Sequence, residues 1–99
     1  MDDMTNMMRS ATENMLKIVS DYKKDLNEFV ANMDEKISLV EKNLESIKRN
    51  WNDANFDAFN KIVKDKIKIL KEQVETSRSL ASIISDTEKD FMSALNELN

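Results

Sequence analysis

The chain has 99 residues (11.5 kDa), 40% of them hydrophobic and 34% charged, with no glycine, proline, cysteine or histidine. That length makes one domain at most, and the composition excludes collagen, hairpin-rich β folds and glycine-built phosphate loops, disulfide frameworks, and ordinary zinc, haem and iron–sulfur sites. A formal charge of −4, from 15 basic and 19 acidic residues, argues against a general nucleic-acid binder.

The N-terminal residues Met1-Asp2-Asp3-Met4 are acidic and lack the basic-then-apolar pattern of a signal peptide. No apolar run approaches the ~20 residues of a spanning helix. The expectation is a soluble chain that starts in the cytoplasm. Asp2, Asp3 or Thr5 can cap a first helix, expected over about residues 5–50, whose apolar residues recur at Met8, Ala11, Met15, Ile18, Tyr22, Leu26, Phe29, Met33, Ile37, Val40, Leu44, Ile47 and Trp51. Between Met15 and Trp51 ten steps cover 36 residues, a mean of 3.6, which is the α-helical period.

The phase breaks at Trp51-Asn52-Asp53-Ala54-Asn55, which predicts a turn over 51–55. With glycine absent, Asn50 or Asn52 is expected to take the left-handed conformation that ends a helix. Asn52 or Asp53 can cap the next helix, and Asp57 suits its positive dipole end. The second helix, expected over about 54–97, carries Phe56, Phe59, Val63, Ile67, Leu70, Val74, Ser77, Ala81, Ile84, Glu88, Phe91, Leu95 and Leu98 by threes and fours, with Ser77 and Glu88 the polar members. Ile62, Ile69, Leu80, Ile83 and Met92 widen the stripe beyond a narrow coiled-coil seam.

The turn sits near the midpoint, so two arms of roughly 45 residues, each on the order of 65 to 70 Å, fold into an antiparallel αα-hairpin. A lone hairpin leaves the outer parts of its stripes uncovered, and dimerisation into a four-helix bundle is the expected remedy. The expected dimer and core stripe is Met15, Tyr22, Leu26, Phe29, Met33, Ile37, Val40, Leu44, Ile47, Val63, Ile67, Leu70, Val74 and Ile84. Residues 36–71 hold nine basic and five acidic side chains, residues 1–35 four and eight, and residues 72–99 two and six. The turn half is therefore about +4 and the flanking segments about −4 each, which favours an antiparallel dimer by a bias of about 1–2 kcal/mol after screening.

The segment Trp51-Asn52-Asp53-Ala54-Asn55-Phe56-Asp57-Ala58-Phe59 resembles the turn of the small WXG-type (ESAT-like) proteins exported by type VII secretion systems. That family has tryptophan, any residue, then glycine, and often an aromatic eight positions after the tryptophan. Trp51 and Phe59 match; Asp53 stands where the glycine is, so the motif here is WxD. The resemblance marks Trp51, Asp53, Phe56 and Phe59 as the turn motif. It implies a substrate or co-exported partner, cytoplasmic before export and secreted without a cleavable signal peptide, with a secretion ATPase and a related helical hairpin as partners. Exported members carry an aromatic residue followed four positions later by an acidic one near the end of helix two. Here Phe91 is followed by Leu95, and the one tyrosine, Tyr22, lies in helix one. Phe91 and Leu95 mark a degenerate C-terminal contact, and the missing signal leaves three outcomes: the chain rides with a partner that carries the signal, is a diverged homodimer, or is not exported.

Three readings compete with this one. The chain can pair as a targeting partner or chaperone with the helical N-terminal region of a larger toxin, serve as a coiled-coil structural adaptor, or bind anionic membrane surfaces through Lys61-Ile62-Val63-Lys64-Asp65-Lys66-Ile67-Lys68-Ile69-Leu70-Lys71. That segment lacks arginine and stacking aromatics, which counts against nucleic acid, and its plain reading is a solvated lysine face. Trp51 either offers an exposed contact or packs on Phe56 or Phe59, and its burial contributes about 2–3 kcal/mol.

Catalysis has few candidates. Glu41, Glu45, Asp65, Glu72 and Glu75 lie off the stripes, where carboxylates are solvated; di-iron bundles and serine nucleophiles need a histidine that the chain lacks. Glu88, the one acid on a stripe, is expected to snorkel or meet a lysine. Met1, Met4, Met7 and Met8 form either an adaptable packing surface or an ordinary helix end. The expected function is non-enzymatic and needs no cofactor or metal.

Overall fold

A computed structural model describes residues 3–98. Two helices account for them, α1 over Asp3–Asn50 and α2 over Ala54–Leu98, folded back as a helical hairpin with no strand among the described residues. Both helices lie within two residues of the expected bounds. Asp3 and Thr5 fall inside the first turn of α1, where an acidic side chain complements the dipole, and the proposed cap Asp2 lies outside the described residues. Lys48 and Arg49 occupy the last turn of α1, where the dipole favours cations.

The turn closes differently from expectation in one respect. No residue among those described has a positive φ, so neither Asn50 nor Asn52 takes the left-handed conformation. Instead the Trp51 N–H donates to the Ile47 carbonyl at 2.8 Å, which carries the helical bonding one step past Asn50. The chain then passes through Asn52 and Asp53 into α2. A left-handed residue is needed only when the chain must fold back onto the helix end in the next residue; three linking residues remove that need. Asp53 caps α2: its Oδ1 accepts from the Phe56 N–H at 3.0 Å and its carbonyl accepts from the Asp57 N–H at 3.0 Å, the N-cap arrangement.

The packing divides the chain into two compact units. The turn unit spans Phe29–Ser77, and the open-end unit combines the chain up to Glu28 with the chain from Arg78 onward. In the turn unit, Val30, Ile37 and Leu44 of α1 bury against Ile67 and Val74 of α2, with Met33, Val63 and Leu70 packed around them. Their seven-residue spacing is that of a coiled-coil seam. Phe56, 1% exposed, is buried at the start of α2, with its ring against Trp51 and Phe59. In the open-end unit, α2 buries Ala81 and Ile84, with Glu88, Phe91, Leu95 and Leu98 half-buried. The residues that α1 half-buries there are Thr5, Arg9, Thr12, Leu16, Val19, Ser20, Lys23 and Leu26.

Within the single hairpin this inward row takes Leu26, Met33, Ile37 and Leu44 from the expected dimer and core stripe of helix one and leaves its other members outside. Met15, Tyr22, Phe29, Val40 and Ile47 stay exposed, as do Met8, Ala11 and Ile18. Counting back from Leu44 by sevens gives Ile37, Val30, Lys23, Leu16 and Arg9; counting back from Met33 gives Leu26, Val19, Thr12 and Thr5. All of these are buried or half-buried. Two helices that stay in contact keep a period of about 3.5 residues, whereas the apolar residues of α1 recur every 3.6, and the mismatch accumulates along the helix. Towards the N-terminus the apolar row has rotated one position off the seam.

Candidate functional site

The turn gathers the aromatic side chains. Asp53 fixes the start of α2, and from there Phe56 points into the core while Phe59, one turn on, flanks Trp51. The Trp51 and Phe56 rings meet edge-on, with centroids 5.5 Å apart and an interplanar angle of 64°. Trp51 and Phe59 lie 6.0 Å apart, and Phe56 and Phe59 6.4 Å. Such pairs contribute about 0.5–1.5 kcal/mol beyond the area they bury. Trp51 is nonetheless 39% exposed, so it both packs across the turn and presents part of its ring to solvent. The Asp53 carboxyl is held below the usual carboxylate range, first by the Phe56 N–H and further by hydrogen bonds from Trp51 and the Asn55 N–H. The structure thus brings Trp51, Asp53, Phe56 and Phe59 into one cluster.

The lysine-rich segment divides between the two sides of the turn unit. On one side Lys64, Lys68 and Lys71 of α2 face Lys42, Glu41 and Glu45 of α1 across an open groove of about 640 Å³, floored by Leu44 and Ile67. The Lys71 Nζ reaches Glu41 at 3.3 Å, with both side chains about half exposed; pairs of that kind contribute little. On the other side Lys36 and Lys66 edge an apolar cleft of about 170 Å³ formed by Met33, Val40, Val63 and Leu70. The two sides of one hairpin segment thus differ in chemistry, one charged and one greasy.

The open-end unit adds polar contacts to its apolar packing. The Lys23 ammonium and the Ser20 hydroxyl both donate to the Glu88 carboxylate, Ser20 at 2.5 Å. Glu88 therefore meets a lysine on α1, one of the two outcomes its sequence position suggests. Its carboxyl is held below the usual range, first by the hydrogen bond from Lys23, then by that from Ser20. Further out, Arg9 Nη2 donates to the Leu98 carbonyl at 3.0 Å, satisfying an acceptor that the end of α2 leaves without a helical partner. Apolar periodicity does not single out Ser20, Lys23 or Arg9. The heptad count from Val30 is the signal that finds Lys23 and Arg9. Phe91 and Leu95 are half-buried in this unit, with their aromatic and aliphatic surface partly spent on packing.

The remaining acids, Glu41, Glu45, Asp65, Glu72 and Glu75, all lie on exposed positions of the helices, and among the described residues no three potential ligands are grouped to hold a metal ion. No helix of the described residues is long and apolar enough to cross a membrane. Met4, Met7 and Met8 are exposed near the start of α1; Met1 lies outside the described residues. Compared with protein-family models, curated proteins and solved structures, the chain matches none.

Proposed function

We propose that this chain is a non-enzymatic, WXG-like helical hairpin that acts through its surfaces, as a substrate or co-exported partner of a type VII secretion system. The observation that carries the reading is the turn cluster. Trp51 and Phe59, eight residues apart, hold their rings in a tilted contact with centroids 6.0 Å apart while keeping about two fifths of their surfaces exposed. A residue needed only for packing gains by fuller burial; aromatic side chains that are held rigid yet stay accessible suit recognition by another protein. The WxD turn closes without glycine because Asp53 caps α2 directly, so the departure from the family pattern leaves the hairpin intact.

The test separates recognition from stability. In a bacterium that carries a type VII system, the wild-type chain is expected in the culture medium, alone or with a co-expressed hairpin partner. Phe59→Ser is expected to keep the helical content, to cost about 1–3 kcal/mol of stability because the ring is already two fifths exposed, and to lower export by more than a buried-core substitution of equal stability cost. Export unaffected by Trp51→Ala and Phe59→Ser would remove the secretion reading and leave the structural adaptor. A targeting partner of a larger toxin is the second reading. The exposed apolar row of α1 in the open-end unit favours it, since a helical region of another chain can cover that row.

A further inference from the structure

Within the open-end unit, α1 carries two rows at helical spacing that lie one residue apart. Met8, Ala11, Met15, Ile18 and Tyr22 are exposed, Ile18 over 69% of its surface. Arg9, Thr12, Leu16, Val19 and Lys23 are half-buried. Each member of the first row is followed directly by a member of the second, so the two rows differ by about 100° of rotation about the helix axis, at 3.6 residues per turn. The outward row is apolar throughout, whereas the inward row holds an arginine, a threonine and a lysine. In the same unit the buried and half-buried residues of α2 include Ala81, Ile84, Phe91, Leu95 and Leu98. Buried apolar area alone therefore favours the row that the structure leaves outside.

Glu88 is the feature of α2 that distinguishes the rows. It interrupts the apolar face, its side chain is 15% exposed, and it accepts from the Lys23 ammonium and the Ser20 hydroxyl. Lys23 is the charged group that meets it from α1, and the α2 positions one turn away, Ile84, Ser85, Phe91 and Met92, carry no charge. Turning α1 by one residue brings Tyr22 and Val19 to the places of Lys23 and Ser20, and neither offers a charge to a carboxylate shielded from water, which is costly to leave unpaired. The bond from Arg9 to the Leu98 carbonyl, 3.0 Å, adds a second tie to the same row. We infer that the first half of α1 is a two-position element, latched with its polar row inward by the contact between Glu88, Lys23 and Ser20, and free to turn its apolar row inward once that contact is removed. A change of one residue in winding is what a single π-type turn absorbs, so neither helix has to unfold. In the latched position Met8, Met15, Ile18 and Tyr22 are offered to a partner, and in the released position they are spent inside the hairpin. A local change of charge at Glu88 thereby becomes a change of surface. The inference does not rest on the secretion reading, which stands on the turn cluster.

Because the chain has no cysteine, single thiols introduced into the full chain report which row is inward through their rate of reaction with a maleimide. Ile18→Cys is expected to react several-fold faster than Val19→Cys. Adding Glu88→Leu is expected to reverse that order, with the thiol at 18 slowed and the thiol at 19 accelerated, while helical circular dichroism is retained. A thiol at Lys68→Cys, in the charged groove of the turn unit, is expected to keep its rate. Should Glu88→Leu lose its helices, Glu88→Ala makes the same test. An unchanged order in a folded Glu88 variant overturns the inference, as does a chain with native Glu88 in which Val19→Cys is the faster. Both thiols accelerating together overturns it too, because the open end then frays instead of turning. None of these rates reads export, so a failed latch and a failed secretion reading remain distinguishable.

Discussion

The two units are built from the same two helices and close by different chemistry. The turn unit joins them through Val30, Ile37, Leu44, Ile67 and Val74, whose burial is non-directional and proportional to area. The open-end unit adds to an apolar seam of Leu16, Val19, Leu26, Ala81 and Ile84 the polar contacts of Lys23, Ser20 and Arg9 with Glu88 and the Leu98 carbonyl, whose contributions depend on geometry and on protonation. An apolar seam supplies stability, whereas a polar seam fixes which residue faces which, as single polar positions do in coiled coils. The difference teaches that a hairpin can be fastened at its turn and indexed at its open end.

The sharpest way to break that contrast is to remove the fastening. Phe56→Ala is expected to cost about 3–5 kcal/mol, because the ring is 1% exposed; chemical denaturation followed by circular dichroism measures it. Ile37→Ala is expected to cost about 2–4 kcal/mol by the same mechanism. Trp51→Ala sits lower, at about 1–3 kcal/mol, since two fifths of its surface is already in water. Equal losses from Phe56→Ala and Trp51→Ala would mean that the turn cluster bears on stability as one block.

Native-state hydrogen exchange tests the contrast without mutation. Amides of α1 around Val30 to Leu44 are expected to exchange more slowly than those around Thr5 to Val19, because local opening follows the density of buried apolar contacts. Uniform protection along α1 would erase the distinction between the units.

The smallest expected effect is the most specific. Glu88 and Asp53 are both held below their ordinary values of 4.5 and 3.8 by the hydrogen bonds they accept. A carboxylate depressed in the folded state stabilises the fold fully above its unfolded value, and the gain is lost as pH falls through the folded value. The melting temperature is therefore expected to be flat above about pH 5 and to fall below about pH 4. Glu88→Gln is expected to flatten part of that fall and to lower the melting temperature at pH 7 by a few degrees or less. An unchanged pH profile in Glu88→Gln would show that the open-end seam contributes no pH-dependent stability.

Much of this architecture was legible in the residues. The 3.6 period of α1, the phase jump after Trp51 and the capping chemistry of Asp53 place both helices and the turn. The stripe of α2 from Val63 to Leu98 coincides with its inward face, Ser77 and Glu88 included. The first half of α1 was not legible in the same way. It offers two rows at helical spacing, one of Met8, Ala11, Met15, Ile18 and Tyr22, the other of Arg9, Thr12, Leu16, Val19 and Lys23, and hydrophobicity alone selects the first.

The sequence by itself determined local conformation, since backbone propensity, absent helix breakers and a single capping cluster act within a few residues of one another. Only the tertiary structure decided which row of α1 faces α2 in the open-end unit. That choice depends on the 3.5-residue repeat that packed helices impose on a 3.6-residue pattern, and on Glu88, whose carboxylate finds Lys23 and Ser20 on the polar row. Those partners stand 65 and 68 residues away in the chain, beyond the reach of any local pattern.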